Sequence, residues 1–352
     1  MIWQDFMFAG IYPHYREFLA KVESEAEFVV KSLRNHPCIV LWCGGNELDK
    51  NYYRLKTENN NIIGREILAD VCRRMDSERP YWPSSPYGGK DPDSERKGDK
   101  RANYVYFHKL DIEHYRKVSG KFISEFGFQA PLVLETMNEF YPFKRVEDEF
   151  IKKPLSLKWH DQGQSKKTME NILHYLHLYM PAPKSLEQFV EYTQLNQAHA
   201  LTIMVEHCRR QKFRCGGVLF WQLDDCWPTI GWSIIDYYLR PKIAYYAAKR
   251  AFQSVIISLV HNQEEIEVWI CNDTLKKVEG TLQVIGMSFK GKTLSAVNKY
   301  VAVPPNQSIR VLVITAREMN IQSTSHHPRV VACQCGSFAS LAKSSNCSVW
   351  CW

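Results

Sequence analysis

The sequence predicts an α/β protein in which parallel strands alternate with helices over roughly the first 250 of 352 residues, followed by a small all-β part. Two observations indicate this. Up to Phe252, short apolar runs bounded by Gly, Pro or polar residues alternate with longer stretches of helical periodicity. From Val255 onward, short apolar or alternating runs separated by turn residues follow one another, as in an antiparallel sandwich.

The chain begins with an apolar strand at residues 2–9, followed by a helix at 17–35 whose apolar side chains recur at helical spacing. Proline at 37 ends that helix, because it cannot continue the hydrogen-bond pattern. Further strands are predicted at 38–42, 81–84, 104–108, 121–125 and 216–222, and further helices at 63–75, 186–211 and 241–252. Residues 87–102 are predicted to be a polar loop, and the mixed charges at 93–101 are typical of a solvated one.

Two glutamates stand at the ends of predicted buried strands. The apolar run at 38–42 leads to Gly44-Gly45, where a tight turn is possible, and then to Asn46 and Glu47. The run at 121–125 ends with Glu125. Taken alone, Glu47 is equally well explained as a solvated residue that opens a loop. Together the two carboxylates suit glycosidic bond cleavage, which needs one acid and one nucleophile or base at the carboxyl ends of parallel strands.

The composition argues against several other classes of protein. The net charge of +7 has no focus, because basic and acidic residues are interleaved, so nucleic-acid binding is not expected. No apolar run approaches the roughly 20 residues that a membrane span needs, and the chain does not open on a leader-like segment. The aromatic share of 13% is compatible with sugar-binding platforms but does not require them.

The eleven cysteines fall into two groups. Seven are scattered through apolar or helical contexts, which favours free thiols and a cytoplasmic location. Four crowd the end of the chain near His326-His327, but their spacing matches no familiar zinc site, and no metal is expected. These four are Cys333, Cys335, Cys347 and Cys351.

Four ordered motifs carry a family resemblance. They read Trp3-Gln-Asp-Phe-Met-Phe-Ala, Trp42-Cys-Gly-Gly-Asn-Glu47, Ser124-Glu-Phe-Gly-Phe-Gln129 and Trp221-Gln-Leu-Asp-Asp-Cys-Trp-Pro228, and Asp236-Tyr-Tyr-Leu-Arg-Pro-Lys242 extends the series. Together they resemble the β-mannosidases of glycoside hydrolase family 2 over roughly residues 1–253.

The resemblance implies an eight-stranded (β/α) barrel flanked by β-sandwich domains and hydrolysis with retention of configuration. Strand 2–9 would then be the third strand of the barrel, so we expect an incomplete TIM barrel made of strands three to eight. The expected domains are a catalytic barrel portion at 1–253 lacking its first two strands, an immunoglobulin-like β-sandwich at 254–316 and a poorly ordered tail at 317–352. Glu47 would be the acid/base and Glu125 the nucleophile.

The same resemblance suggests residues that contact the sugar. Asn46 would hydrogen-bond the 2-hydroxyl, or else serve only as a turn residue. Trp221 would stack on the terminal sugar, with core packing as its alternative. Trp3 and Asp5, at the end of the first strand, would line the pocket.

Three further residues are weaker sugar-contact candidates. Asp225 and Trp227 would wall the pocket, although structural packing explains them nearly as well. In these enzymes the sixth strand usually carries a His after a Val, whereas here Tyr106 follows Val105, so His108 is a weak candidate.

The expected function is that of a retaining exo-β-mannosidase that removes terminal β-mannosyl residues from an oligosaccharide or glycoconjugate. Two alternatives stay open: an exo-β-glucosaminidase or another β-glycosidase of the family, and an inactive sugar-binding remnant. No cofactor is expected, because two carboxylates and water suffice for the reaction. The sequence does not indicate an oligomeric state.

Overall fold

The computed structural model describes residues 1–140, 168–262, 265–288, 291–315, 317–319, 329–335 and 347–351. Within it the chain forms two compact units. The first contains Met1–Phe128 and Arg214–Trp221, and the second contains Gln129–Phe213 and Gln222–Trp352.

The first unit contains two three-stranded sheets whose neighbouring strands are all parallel. One sheet consists of β1 (Ile2–Ala9), β2 (Ile39–Asn46) and β3 (Tyr81–Trp82), in that order. The other consists of β4 (Lys100–Arg101), β5 (Ile123–Phe126) and β6 (Val218–Phe220). The predicted parallel α/β character is therefore confirmed.

Helices pack against these strands because each helix has an apolar face to bury. The helices of the unit are α1 (Arg16–Leu33), α2 (Leu48–Leu55), α3 (Leu68–Met75), which continues a π-helical turn at Ile63–Ile67, α4 (Tyr104–Phe107) and a 3-10 turn at Ile112–Lys117. Val22, Ala26 and Val30 of α1 pack in one core cluster with Phe6 of β1 and Trp42 of β2. Their spacing of four residues places all three side chains on one face of the helix.

The structure corrects two elements of the sequence prediction. Residues 104–108 are not a strand: Phe107 N donates to Asn103 O at 3.0 Å and His108 N to Tyr104 O at 2.9 Å, as in a helix. A short apolar run does not distinguish a buried helical turn from a strand. The strand in this part of the chain is β4, which lies inside the segment predicted to be a polar loop.

The second unit contains four described helices and a β-sandwich. The helices are α5 (Leu134–Phe140), α6 (Thr168–Tyr179), α7 (Leu186–Arg210) and α8 (Ile243–Ala251). The helix predicted at 186–211 is confirmed by α7, and residues 141–167 lie outside the described residues. Ser185 caps α7, its hydroxyl accepting a hydrogen bond from Gln188 N at 3.3 Å.

The sandwich is built from two antiparallel sheets, as the alternating pattern after Val255 predicts. Their strand orders are β11 (Gln307–Thr315), β8 (Glu265–Asn272), β7 (Val255–Asn262) and β10 (Thr293–Val303), β9 (Val278–Ser288), β12 (Arg329–Cys335), β13 (Cys347–Cys351). Inward side chains of both sheets, such as Val268 and Leu282, share one buried cluster.

The second sheet extends past the boundary expected at 316. β12 pairs with β9 and with β13, so the segment expected to be a poorly ordered tail contributes two strands. The side chains of its four cysteines and of His326-His327 lie outside the described residues. The seven scattered cysteines are free thiols, as expected. Among the described residues, a helix with the length and apolarity of a membrane crossing is not found.

Candidate active site

Glu47 is held in an unusual backbone conformation immediately after β2. Its φ of 56° lies in the left-handed region, which residues other than glycine seldom adopt. Backbone hydrogen bonds on both sides fix it there: Glu47 N donates to Ser85 O at 2.7 Å, and Glu47 O accepts from Asn51 N at 3.0 Å. Strain of this kind clusters at functional sites, because the surrounding structure must enforce it.

The two glycines before Glu47 serve close packing rather than a turn. Both belong to β2, and a Cβ on Gly45 would lie 2.2 Å from Phe8 O of the neighbouring strand. A Cβ on Gly44 would lie 2.4 Å from Pro83 O. Only glycine therefore lets β2 approach its neighbours closely enough to place Glu47 where it stands.

This packing gives a stability prediction with a matched control. Gly45→Ala introduces both a left-handed strain and a clash, and is expected to reduce the free energy of unfolding by about 3 kcal/mol or more. Gly10→Ala also has a positive φ, but no atom lies within 4 Å of its new Cβ, so about 1 kcal/mol is expected. Denaturant unfolding of both variants checks this. Equal losses at the two positions would contradict the close-packing role.

Glu125 lies in β5, and its carboxyl group has two protein partners. Arg101 Nη1 lies 3.0 Å from Glu125 Oε2, and Asn103 Nδ2 donates to Oε1. The strand pairing itself sets this arrangement, since Ala102 N donates to Glu125 O at 2.8 Å and Arg101 is the register partner of Glu125. The Glu125 side chain is only 14% exposed.

One guanidinium nitrogen links the two predicted carboxylates. The same Arg101 Nη1 that contacts Glu125 also lies 3.6 Å from Glu47 Oε1. These two carboxylate oxygens are therefore separated by no more than the combined length of the two contacts. The structure brings together the pair of acids that the sequence singled out.

The Glu47 carboxylate has two further cationic neighbours. Arg54 Nη1 lies 2.9 Å from its Oε2, and Lys50 Nζ lies 3.7 Å from its Oε1. Both cations come from α2, the helix that begins directly after Glu47. The site thus combines two acids with three cations, an arrangement that suits the binding of a polar substrate and acid–base chemistry on it.

Burial and charge act on the pKa of Glu125 in opposite directions. Burial raises the pKa of its carboxyl and the Glu47 carboxylate adds to this, whereas the Arg101 cation and the Asn103 hydrogen bond lower it. The net result is a raised pKa. The pKa values of Asp5 and Asp99 are raised as well, mainly by burial, and Arg101 lowers both.

Arg101 is the residue that sequence reasoning missed. Asp99, Lys100 and Arg101 are buried, although their mixed charges predicted a solvated loop. Buried charges need partners, and these find theirs only in the folded structure. A strand of two residues shows no periodicity in the sequence. The one feature that could have indicated β4 is its position between the polar loop and the apolar run of β5.

Asn46 and Trp221 occupy strand ends in the first unit. Asn46 is the last residue of β2 and pairs with Ala9 in the parallel register. Trp221 follows β6, donates its backbone N–H to Phe126 O at 2.7 Å, and is 47% exposed. An indole this exposed is not a core residue, so packing does not explain Trp221.

Trp3 and Asp5 lie in the first half of β1, not at its end as expected, because the strand continues to Ala9. Trp3 Nε1 donates to Asp5 Oδ1 at 2.8 Å, and the Trp3 ring contacts Trp82 with ring centroids 5.1 Å apart. Asp5 is open to solvent on one side, yet the surrounding protein still desolvates it enough to raise its pKa. Their role as pocket residues remains a prediction.

His108 does not lie on a strand as predicted, and its suggested sugar contact remains a prediction. It follows the short helix α4, is exposed, and its ring lies 6.4 Å from that of Tyr104. Tyr106, which follows Val105 where these enzymes usually carry a histidine, is buried within α4. The strand that precedes β5 ends in Arg101, so neither Tyr106 nor His108 occupies a strand position.

Asp225 and Trp227 belong to the second unit. Asp225 is buried, its Oδ2 accepting from Ser233 Oγ at 2.5 Å and its Oδ1 from Gln222 Nε2 at 3.1 Å. Burial raises the pKa of Asp225, and the buried Lys242 cation lowers it. Trp227 is exposed. Their suggested place in the pocket wall remains a prediction.

No cluster of metal ligands accompanies these residues. Within the ranges described above, no three His, Cys, Asp or Glu side chains are grouped as a bound metal ion would require.

Comparison with known proteins identifies a domain and relatives to which this chain is similar. Residues 264–337 match the family model of the Mannosidase Ig/CBM-like domain. A β-mannosidase B from Thermothelomyces thermophilus is 33% identical over 317 residues, covering 78% of this chain and 37% of the relative. The chain thus spans less than half the length of that relative.

Comparison with solved structures also finds similarity to a β-mannosidase. The crystal structure of a β-D-mannosidase from Dictyoglomus thermophilum aligns with a TM-score of 0.85 at 36% identity, covering 95% of this chain and 41% of that one. An exo-chitosanase from Amycolatopsis orientalis aligns with a TM-score of 0.71 at 18% identity, over 96% of this chain and 39% of that one, and so shares the fold alone. The family resemblance of the sequence motifs is confirmed, because the chain is similar to β-mannosidases over most of its own length and contains a match to the Mannosidase Ig/CBM-like domain.

Proposed function

We propose that this protein is a retaining exo-β-mannosidase that hydrolyses terminal β-D-mannosyl residues. The observation that carries the proposal is the contact of Arg101 Nη1 with both Glu47 and Glu125, at 3.6 and 3.0 Å. Retention requires the two carboxyl groups about 5–5.5 Å apart. Two acids that share one guanidinium nitrogen are separated by at most the combined length of these two contacts, which is compatible with that geometry.

The first half-reaction would form a covalent intermediate. A carboxylate oxygen of Glu125 attacks C1 of the mannosyl residue, and the bond from C1 to the aglycone oxygen breaks. That oxygen leaves with the proton of Glu47, so the first product is a neutral alcohol. Because the ester removes the charge of Glu125, the acids no longer repel each other.

The second half-reaction would return both carboxyl groups to their starting states. Water attacks C1 and gives its proton to Glu47, while the bond from C1 to Glu125 breaks and releases the carboxylate. Two inversions at C1 yield mannose with its original β configuration. No group beyond these carboxyls and water is needed to balance the reaction.

Other residues of the first unit would hold the sugar. We assign Asn46, next to Glu47, to the 2-hydroxyl and the exposed indole of Trp221 to stacking on the terminal ring. Asn103 Nδ2 holds Glu125, while its buried Oδ1 has no hydrogen-bond partner among the described residues. A buried acceptor of this kind suits a sugar hydroxyl donor.

We further propose that β1 to β6 correspond to the third to eighth strands of a (β/α)8 barrel. The edge strands β1 and β6 support this, because each exposes apolar side chains that a further strand would cover. Met7 of β1 is 65% exposed and Leu219 of β6 is 44% exposed.

The stereochemical course of hydrolysis tests the proposed function. Proton NMR of an aryl β-mannoside digest is expected to show β-mannose as the first product, before mutarotation produces the α anomer. The same assay with an aryl β-glucosaminide is expected to show at least tenfold lower kcat/KM, since relatives of 30% identity or more are named β-mannosidases. First appearance of α-mannose would contradict the proposed mechanism, and a preference for the glucosaminide would contradict the proposed substrate.

A further inference from the structure

Arg101 is a nearly buried charged group that contacts both acids. Its side chain is only 8% exposed, and Nη1 contacts Glu125 and Glu47. A buried cation with two carboxylate partners is a strong electrostatic feature, because low local polarity strengthens both interactions.

The surrounding structure holds the guanidinium in place. Arg101 ends β4, and its neighbour Lys100 donates its backbone N–H to Phe122 O at 2.9 Å. On the far side, Arg101 Nη2 donates to Ser85 Oγ at 3.4 Å, and Ser85 Oγ donates to Asp99 Oδ2 at 2.7 Å. The group is thus anchored by backbone and side chains that take no part in the proposed reaction.

The charge of Arg101 acts on three acids of the first unit. It lowers the pKa of Glu125, of Asp5 and of Asp99, all of which burial raises. Arginine remains protonated at any pH at which a protein is folded. Arg101 therefore lowers the pKa values of these acids throughout the working pH range.

We propose that Arg101 is a positioning residue for the proposed reaction: its guanidinium holds Glu125 and Glu47 side by side in the free enzyme, and pairs with Glu47 alone once Glu125 is esterified. This inference rests on the proposed function of the same two acids. Arg101 would thus align the nucleophile in the first half-reaction. In the second it would keep its contact with Glu47, the group that must accept a proton from water.

Two substitutions separate the charge of Arg101 from its geometry, and a third, at another arginine, is their control. Arg101→Met removes both, and Arg101→Lys keeps the charge but not the forked shape. Arg73→Met serves as the control, because Arg73 is 75% exposed and pairs with Asp70 on the helix surface.

The first measurement is the pH profile of kcat/KM with an aryl β-mannoside. In Arg101→Met the acidic limb is expected to move to higher pH, and kcat is expected to fall roughly 10- to 100-fold. Arg101→Lys is expected to keep the limb near its original pH and to lose about tenfold in kcat. Arg73→Met is expected to match the parent protein.

The second measurement does not depend on turnover. Carbon-13 NMR titration of the glutamate carboxyl carbons, with Glu125 assigned from Glu125→Gln, is expected to show Glu125 titrating at higher pH in Arg101→Met than in Arg73→Met. If the parent protein hydrolyses no aryl β-mannoside, the proposed function fails while this titration still tests Arg101. Equal titration of Glu125 in both variants would overturn the proposal.

Arg101→Lys covers the case in which Arg101→Met does not fold. An Arg101→Lys protein with the parent's kcat and pH profile would also overturn the proposal, because a lysine cannot reproduce the forked contact with two carboxylates.

Discussion

Replacing Glu125 with alanine is expected to reduce kcat for an aryl β-mannoside by a factor on the order of 10⁴ or more. The reason is that no other group in the proposed mechanism attacks C1. The side chain is nearly buried and contacts Arg101 and Asn103. Initial rates of the variant and the parent protein, measured side by side, check this.

A matched control is available in the same unit. Glu113 is an exposed carboxylate, 52% accessible, that pairs with Arg116. Glu113→Ala removes an acid of the same kind, and its kcat is expected to stay within about twofold of the parent value. Comparable activity of Glu125→Ala and Glu113→Ala would show that Glu125 is not the nucleophile.

Replacing Glu47 with alanine is expected to give a loss that depends on the leaving group. An aryl mannoside with a poor leaving group needs the proton that Glu47 would supply, so kcat/KM should fall roughly 10²- to 10⁴-fold. The dinitrophenolate of a dinitrophenyl mannoside leaves without a proton. Glycosylation of the enzyme by this substrate should therefore be far less affected.

The rate of the second half-reaction tests whether Glu47 acts as the base. With the dinitrophenyl substrate, Glu47→Ala should accumulate the glycosyl-enzyme, and added azide should restore turnover because azide needs no general base. Glu66→Ala, which removes an exposed carboxylate of the first unit, is the control and should show neither effect. An equal loss with both substrates, and no effect of azide, would contradict the acid/base role.

The fold and the two acids could largely be predicted from the sequence, for a specific reason. Glu47 and Glu125 each follow an apolar run, and such runs form buried strands whichever tertiary partners they find. Parallel strands then bring their carboxyl ends to one edge. The parallel strands β1, β2 and β5, and the antiparallel strands β7 and β8, carry this signal and were predicted.

The sequence could not predict features whose cause lies only in tertiary structure. β4 has two residues, both charged, and its burial depends on partners such as Glu125 and Ser85 that are distant in sequence. The apolar segment of α4 satisfied the strand pattern equally well, so only its position in the fold decided its conformation. The close-packing role of Gly45 likewise depends on the carbonyl group of a neighbouring strand.

Glu125 is expected to form a covalent bond with the sugar while Glu47 stands opposite it. Incubation of the protein with 2-deoxy-2-fluoro-β-mannosyl fluoride, followed by proteolysis and mass spectrometry, tests this most directly. The fluorine slows both steps, and the reactive leaving group allows the first, so the intermediate accumulates. We expect the fluoromannosyl mass on the peptide that contains Glu125, and none in Glu125→Gln. A label on another carboxylate, or none on a protein that hydrolyses β-mannosides, would contradict the account.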